Sequence, residues 1–166
     1  MAGVTADPSR IPNVLAARYA SAELTRIWSP ENKVVLERRL WLAVLSAQRD
    51  LGVAVPDGVV EAYEKVVDDV DLASIRRREA VTRHDVKARI EEFSALAGHE
   101  HVHKGMTSRD LTENVEQLQI RDSLALIRDR VVTTLASNSA SFAGSPSSRS
   151  SWSWLVPIGP LMPRSG

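Results

Sequence analysis

The chain of 166 residues contains no cysteine, so it has no disulfide and no thiolate metal ligand, as is common in a reducing cytosol. Its 21 basic and 21 acidic side chains cancel, which leaves no global field to draw it onto nucleic acid or an anionic membrane. No apolar run is long enough to cross a bilayer, and the N-terminus lacks the pattern of a signal peptide. We therefore expect a cytoplasmic protein without a nucleic-acid or membrane partner.

Strand-period alternation and internal repeats are also lacking, whereas helical spacing of apolar residues runs from about position 11 to 136. Ser29, Pro30 and Glu31 form a helix start, and Gly52 ends that helix. The helices expected after it carry apolar residues at Val59, Tyr63, Val66 and Val67, then at Leu72 and Ile75 behind a capping Asp71, and then at Val86, Ile90, Phe93 and Ala97 before Gly98. The sequence predicts an all-α protein.

The predicted organisation has three parts. Residues 1–106 form a small helical N-terminal domain, and residues 107–136 form the first long helix of a helical-bundle domain. The stripe of that helix comprises Leu111, Val115, Leu118, Ile120, Leu124, Ile127, Val131 and Leu135. Partner helices of similar length are missing here, so we expect other subunits or further sequence to cover it. Residues 137–166, with ten serines and four prolines, are predicted to be irregular.

All four histidines, His84, His99, His101 and His103, fall within a short stretch of the chain. Alternating histidines are typical of a solvated loop, and a metal site is the alternative, because neutral imidazoles bind zinc. Lys104 beside the cluster and the absence of cysteine argue against a metal. We expect no metal ligand among these histidines.

Two helix starts carry candidate binding groups. Gly105 leads into Thr107, Ser108 and Asp110, which predicts either an anion site or a capping box with Asp in place of the usual Glu. Thr82, Arg83, His84 and Asp85 form a second helix start with groups for binding anions and moving protons. Spacing alone favours the capping interpretation at Thr107, where a capping hydroxyl can also face a ligand, and a solvated turn at Arg83, His84 and Asp85.

Together with the segment from Arg18-Tyr19 to Lys33, these motifs resemble the adenylosuccinate lyase family of the fumarase/aspartase superfamily. Thr82–Val86 and His101–Asp110 match the next two family motifs in order and spacing. The resemblance covers roughly residues 14–135 and is strongest to the actinobacterial form. It implies an all-helical homotetramer that eliminates fumarate from adenylosuccinate and from the succinyl-carboxamide ribotide of purine biosynthesis, without metal or organic cofactor.

The resemblance also implies roles for individual residues. Residues expected to bind the nucleotide substrate are Arg18, Tyr19, Arg83, His84, Asp85, His103, Thr107 and Ser108. Of these, His84 would assist proton transfer. A polyanionic substrate suits arginine and helix N-terminal N–H donors, and β-elimination needs both a base and an acid.

The sequence departs from the family after Ala136. The family's general-acid histidine and its mobile serine loop have no counterpart, since no histidine follows His103. We expect this chain alone to have little or no lyase activity, and a shifted reading frame or truncated gene would account for residues 137–166. Two alternatives stay open: a non-catalytic helical association module, or another superfamily lyase such as argininosuccinate lyase.

Overall fold

The structure, a computed structural model, describes residues 14–143, and the side chains through residue 139. Within that range it contains helices and turns but no strand, which confirms the all-α prediction. The helices are α1 (Val14–Tyr19), α2 (Ala22–Ile27), α3 (Pro30–Asp50), α4 (Val59–Lys65), α5 (Leu72–Thr82), α6 (Asp85–Ala97) and α7 (Ser108–Ala143). None of these helices is both long and apolar enough to span a bilayer.

Helix α3 begins and ends where the sequence predicts. The Ser29 hydroxyl accepts the N–H of Asn32 at 3.1 Å, Pro30 occupies the first turn, and Gly52 follows the end with a φ of 87°. The buried face differs from the apolar residues that indicate the helix. It comprises Val34, Glu37, Arg38, Trp41 and Leu45, whereas Ala43, Ala47 and Leu51 are exposed. Two charged residues belong to the buried face because both are paired, and hydrophobicity alone does not mark such positions.

The start of α5 and the end of α6 also lie where the sequence predicts. Asp71 accepts the N–H of Ser74 at 2.9 Å at the start of α5, and this hydrogen bond is the main reason why its pKa is lowered. Helix α6 packs against α4 and α5 and ends at Gly98, whose left-handed φ of 72° closes the last turn.

An aromatic cluster forms the centre of the core. Trp41 of α3 stacks on Phe93 of α6 with ring centroids 6.1 Å apart, and Tyr63 of α4 tilts against Phe93 at 4.7 Å. The buried members of this core are Trp41, Leu45, Val59, Val60, Tyr63, Val86, Phe93, Val102 and Leu111. Burial of each large side chain contributes roughly 1.5–3 kcal/mol, so this cluster fixes α3, α4 and α6 and the loop after α6.

The chain divides into two compact units, the first ending at Arg128 and the second beginning at Asp129. Helix α7 has residues in both and continues to Ala143, so the prediction that residues from 137 onward are irregular is wrong for 137–143. The hydroxyls of Ser137 and Ser139 donate to carbonyls four residues earlier, at 2.9 and 2.8 Å. These bonds let serine stay in a helix that it otherwise disfavours. Residues 144–166, predicted to be irregular, lie outside the described residues.

Within the first unit, α7 is covered on a face with a spacing of four residues. Leu111 and Val115 are fully buried, and the row continues with the polar Gln119 and Ser123. Gln119 donates to the carbonyl of Ile27 at 2.7 Å, and the Trp28 indole N–H donates to the Ser123 hydroxyl at 2.8 Å. The later part of the predicted stripe is exposed on this chain, at Ile120, Leu124, Ile127, Val131 and Leu135.

Candidate functional site

The turn between α5 and α6 holds three of the predicted site residues. Arg83 ends α5 in the left-handed region (φ 49°), where its N–H donates to the Glu79 carbonyl at 2.8 Å. His84 then begins α6, and its Nδ1 accepts the N–H of Lys87 at 3.3 Å. Because Nδ1 accepts this bond, the neutral ring carries its proton on Nε2 and directs that N–H away from the helix.

Asp85 lies beside His84 and belongs to an ion-pair chain. Its Oδ1 is 3.6 Å from His84 Nδ1, and its Oδ2 accepts from the Arg89 guanidinium at 2.9 Å. Burial raises the pKa of Asp85, but the Val86 N–H and the Arg89 cation outweigh burial, so the pKa lies below its ordinary value. Asp85 is therefore a fixed negative charge at neutral pH.

The loop after α6 carries His103 and is held to the core at two points. The Tyr63 hydroxyl donates to the His99 carbonyl and accepts the N–H of His101 at 3.2 Å. The Trp41 indole N–H donates to His103 Nδ1 at 3.0 Å, with the two rings edge to face. His103 adopts a left-handed φ of 67°, and Gly105 follows with a φ of 75°. This loop is thus built around buried anchors.

His103 connects the two predicted helix starts electrostatically. Its pKa is lowered mainly by burial, with a further lowering from the charge of His84, while Asp110 acts in the opposite sense. With Nδ1 accepting from Trp41, His103 is neutral near pH 7 and carries its proton on Nε2.

The capping box predicted at the start of α7 is present. The Asp110 carboxylate accepts the Thr107 N–H at 2.7 Å, and Thr107 Oγ1 accepts the Asp110 N–H at 3.3 Å. The hydrogen bonds from Thr107 are the main reason why the pKa of Asp110 is lowered. Ser108, the first residue of α7, is half-buried, and its carbonyl accepts from the Thr112 hydroxyl at 3.0 Å. Spacing alone favoured this cap, and it places Ser108 next to the His103 loop.

Arg18 and Tyr19 are not joined to this cluster. Both belong to α1, and Tyr19 is 78% exposed. Among residues 14–143, no hydrogen bond or ion pair links Arg18 or Tyr19 to the other predicted site residues. The other six predicted residues form two local groups: Arg83, His84 and Asp85 at the start of α6, and His103, Thr107 and Ser108 in the loop that leads into α7.

The alternating histidines do not converge. His101 Nδ1 is 3.2 Å from the Lys104 ammonium, and its pKa is lowered first by burial and then by that cation. In the described part of the chain, no three histidine, aspartate or glutamate side chains lie where they could hold one metal ion. His101 and His103 instead face different partners.

Three residues that matter to the site were missed from the sequence: Glu37, Trp41 and Arg89. Trp41 contacts His103, and Arg89 joins Glu37 to Asp85. The contacts of Glu37 and Trp41 with the site cross from α3 to distant parts of the chain, which spacing does not reveal. One local signal was available, because Glu37 and Trp41 are four residues apart on one helix face.

A separate cleft of about 860 Å³ lies between α6 and the loop after it. Its polar lining includes Arg78, Lys87, Ser94, His99 and Glu100, and none of the predicted site residues contributes. It is thus distinct from the cluster at the starts of α6 and α7.

The protein thus belongs to the class of all-helical chains, and it carries arginine, histidine and hydroxyl groups that suit anion binding at two helix starts. The chain is homologous over about 70% of its length to adenylosuccinate lyases. It is 35% identical to the Saccharomyces cerevisiae enzyme over 128 residues, which is 73% of this chain and 26% of that protein. It is 32% identical to the Methanothermobacter thermautotrophicus enzyme over 123 residues, covering 71% of this chain and 27% of that protein. The chain therefore spans about a quarter of the length of these curated relatives. No protein-family model matches the chain.

Proposed function

We propose that this chain is the substrate-holding part of an adenylosuccinate lyase, and that it binds the anionic groups of adenylosuccinate or AMP. The observation that carries the proposal is the homology of this chain to these lyases, together with His84 at the start of α6 and His103 in the loop that leads into α7. Arg83 supplies a guanidinium, and Ser108 at the start of α7 supplies a hydroxyl and an N–H donor, while the Thr107 N–H and hydroxyl donate to Asp110 in this structure. Such donors match phosphate and carboxylate groups.

In this proposal the reaction is β-elimination of fumarate from adenylosuccinate and from succinyl-carboxamide ribotide. A base removes a carbon-bound proton, and an acid protonates the leaving nitrogen. His84 can assist proton movement, because the contacts with Lys87 and Asp85 are made by Nδ1 and leave Nε2–H available. Arg18 and Tyr19 on α1 contribute to the nucleotide side when the site is assembled. The residues present hold substrate, and we expect turnover by this chain alone to be negligible.

The binding test is calorimetric titration of the 166-residue chain with AMP, adenylosuccinate and argininosuccinate. We expect AMP and adenylosuccinate to bind, and the variants R83N and H84N to weaken binding several-fold. Asparagine tolerates the left-handed conformation at 83 and can cap α6 at 84, so both variants keep the local backbone. R76Q, an exposed substitution on α5, is the control. Equal binding by all variants would contradict the proposed site, and preference for argininosuccinate would point to that related lyase.

A second role is supported by the exposed apolar side chains of α7. Ile120, Leu124 and Ile127 are each at least 40% exposed in the first unit of the chain. Contiguous apolar surface of this kind marks an association site. We propose that copies of this chain associate through this face, as expected of a homotetrameric lyase. Self-association without AMP binding would favour a non-catalytic association module instead.

We further infer that the segment after Ala136 does not derive from lyase sequence. Its serine-rich composition and the lack of any histidine after His103 support this. The continuation of α7 to Ala143 does not oppose it, because the serines there are accommodated by their own carbonyl bonds. Sequencing of the locus tests the inference: lyase sequence readable in another frame beyond codon 136 is expected, and an uninterrupted frame without it would refute the idea.

A further inference from the structure

The chain of ion pairs behind the α6 start extends farther than the substrate-binding groups. Glu37 on α3 is completely buried, and its Oε2 is 2.6 Å from Arg89 Nε on α6. Arg89 is itself only 12% exposed, and its other end contacts Asp85 Oδ2 at 2.9 Å. Asp85 Oδ1 in turn faces His84 Nδ1. One guanidinium therefore connects a buried carboxylate with the carboxylate beside the candidate proton-transfer residue.

The neighbouring buried pair differs in kind. Arg38 pairs with Glu92 and also donates to the carbonyls of Val66 and Val67, while Glu92 accepts the N–H of Asp71. That pair is tied into the backbone of the scaffold on both sides. Apart from Arg38 Nε, which has no partner, these hydrogen bonds help to offset the desolvation of the buried ion pair.

Glu37 has no such support. Its Oε2 contacts Arg89 Nε at 2.6 Å, whereas its Oε1 has no hydrogen-bond partner among the described residues and no backbone group donates to either oxygen there. A buried charge with unmet hydrogen bonds is a poor way to stabilise a fold. The contact does, however, position the Arg89 side chain: Glu37 holds one edge of the guanidinium so that its other edge contacts Asp85.

We propose that Glu37 is a positioning residue of the substrate site, which fixes the Asp85 carboxylate through Arg89 and thereby sets the position of the negative charge beside His84. This inference rests on the proposed function for its role in binding, although the mechanical link can be tested without any ligand. Arginine is needed in the middle because its planar fork contacts two carboxylates at once, which the single nitrogen of lysine does not do at these distances.

The same link responds to pH near neutrality. Burial raises the pKa of Glu37 to about 7, against the opposing charges of Arg89 and Lys33, and Asp85 adds to the rise. These are the charged groups that act on Glu37 from α3 and α6. Above this pKa the ionised Glu37 attracts Arg89, and below it the attraction weakens. Asp85 stays ionised throughout, so its surroundings change while its own charge does not.

The test follows the carboxyl carbon of Asp85 by NMR from about pH 5.5 to about pH 8.5. The H84N background removes the titration of the neighbouring imidazole. We expect a step centred on the titration of Glu37, which is followed in the same spectra. E37Q and R89K should each abolish the step, whereas E64Q, an exposed substitution on α4, should retain it. A step that survives E37Q would overturn the proposal, and so would a flat Asp85 signal while Glu37 titrates.

A binding measurement separates this inference from the proposed function. With His84 intact, E37Q should weaken AMP binding several-fold relative to E64Q at about pH 8, and the loss should shrink toward about pH 6. Circular dichroism checks that the variants keep wild-type helix content. A wild-type chain that binds no AMP would count against the proposed function, and the NMR experiment would still decide the positioning role. Equal AMP affinities for E37Q and E64Q at the higher pH would refute that role.

Discussion

The substitution R38M tests how far a single buried cation holds the core together. Arg38 is fully buried, pairs with Glu92, donates to two carbonyls at 2.8 and 3.1 Å, and lies 4.7 Å from the centre of the Phe93 ring. Methionine fills similar space but leaves Glu92 as a buried charge without its partner. Removing one partner of such a pair costs about 3–5 kcal/mol. Since a domain of this size is stable by about 5–15 kcal/mol, a large fraction of the stability is lost.

The assay is urea unfolding followed by circular dichroism, with R39M as the matched control. Arg39 is the next residue and pairs with Asp68 at 3.2 Å, but both side chains are at least 60% exposed, so its loss should cost at most about 1 kcal/mol. A difference of roughly 3 kcal/mol is about a hundredfold in the unfolding equilibrium. The double variant R38M/E92M should be more stable than R38M, because no unpaired charge stays buried. Equal effects of R38M and R39M would refute the reasoning.

Three further predictions concern single contacts. W41F removes the indole donor to His103 Nδ1, so the His103 pKa should rise in an NMR titration. In the wild-type chain this pKa lies below 6.5, and the folded state therefore loses stability as the pH drops below 6.5. W41F should lessen this loss of stability. D110N should lower the melting temperature by weakening the Thr107 cap, a difference that disappears as pH falls below 3.8 through the lowered pKa of Asp110, and an unchanged melting temperature would contradict it. L124D alters a side chain that is 61% exposed, so sedimentation should show less self-association without loss of helix; unaltered association would exclude this face.

The helix boundaries were predictable because their signals are local. Ser29, Asp71 and Gly98 each act within a few residues, and each occupies the capping position that the sequence indicates. The end of α7 was not, because serine side chains satisfy themselves in either a helix or a loop. Whether the serines adopt a helix or a loop depends on the residues around them, which the serine content of the segment does not reveal.

The sequence indicates which candidate residues share a turn, but not which distant residues support them. Arg83, His84 and Asp85 share one turn, so their proximity follows from the chain itself. The contact of His103 with Trp41 spans 62 residues, and only packing of α6 and its loop on α3 creates it. The left-handed conformations at Arg83 and His103 were not predictable from the sequence either, because neither residue type indicates such a backbone in the way that glycine does.

These two strained positions identify what α3 contributes. A left-handed conformation costs a residue of this kind about 1–3 kcal/mol, and it persists where the surroundings fix it. Trp41 fixes His103, and Gln48 donates to the carbonyl of Lys104 at 2.9 Å, while Glu37 reaches the turn at Arg83 through Arg89 and Asp85. Glu37, Trp41 and Gln48 are spaced by four and seven residues, which places them on one face of α3. One rigid helix thus sets the distance between the two halves of the site. Substitutions on this face should therefore alter ligand binding out of proportion to their effect on stability, whereas Arg38, whose bonds go to the scaffold, should do the reverse.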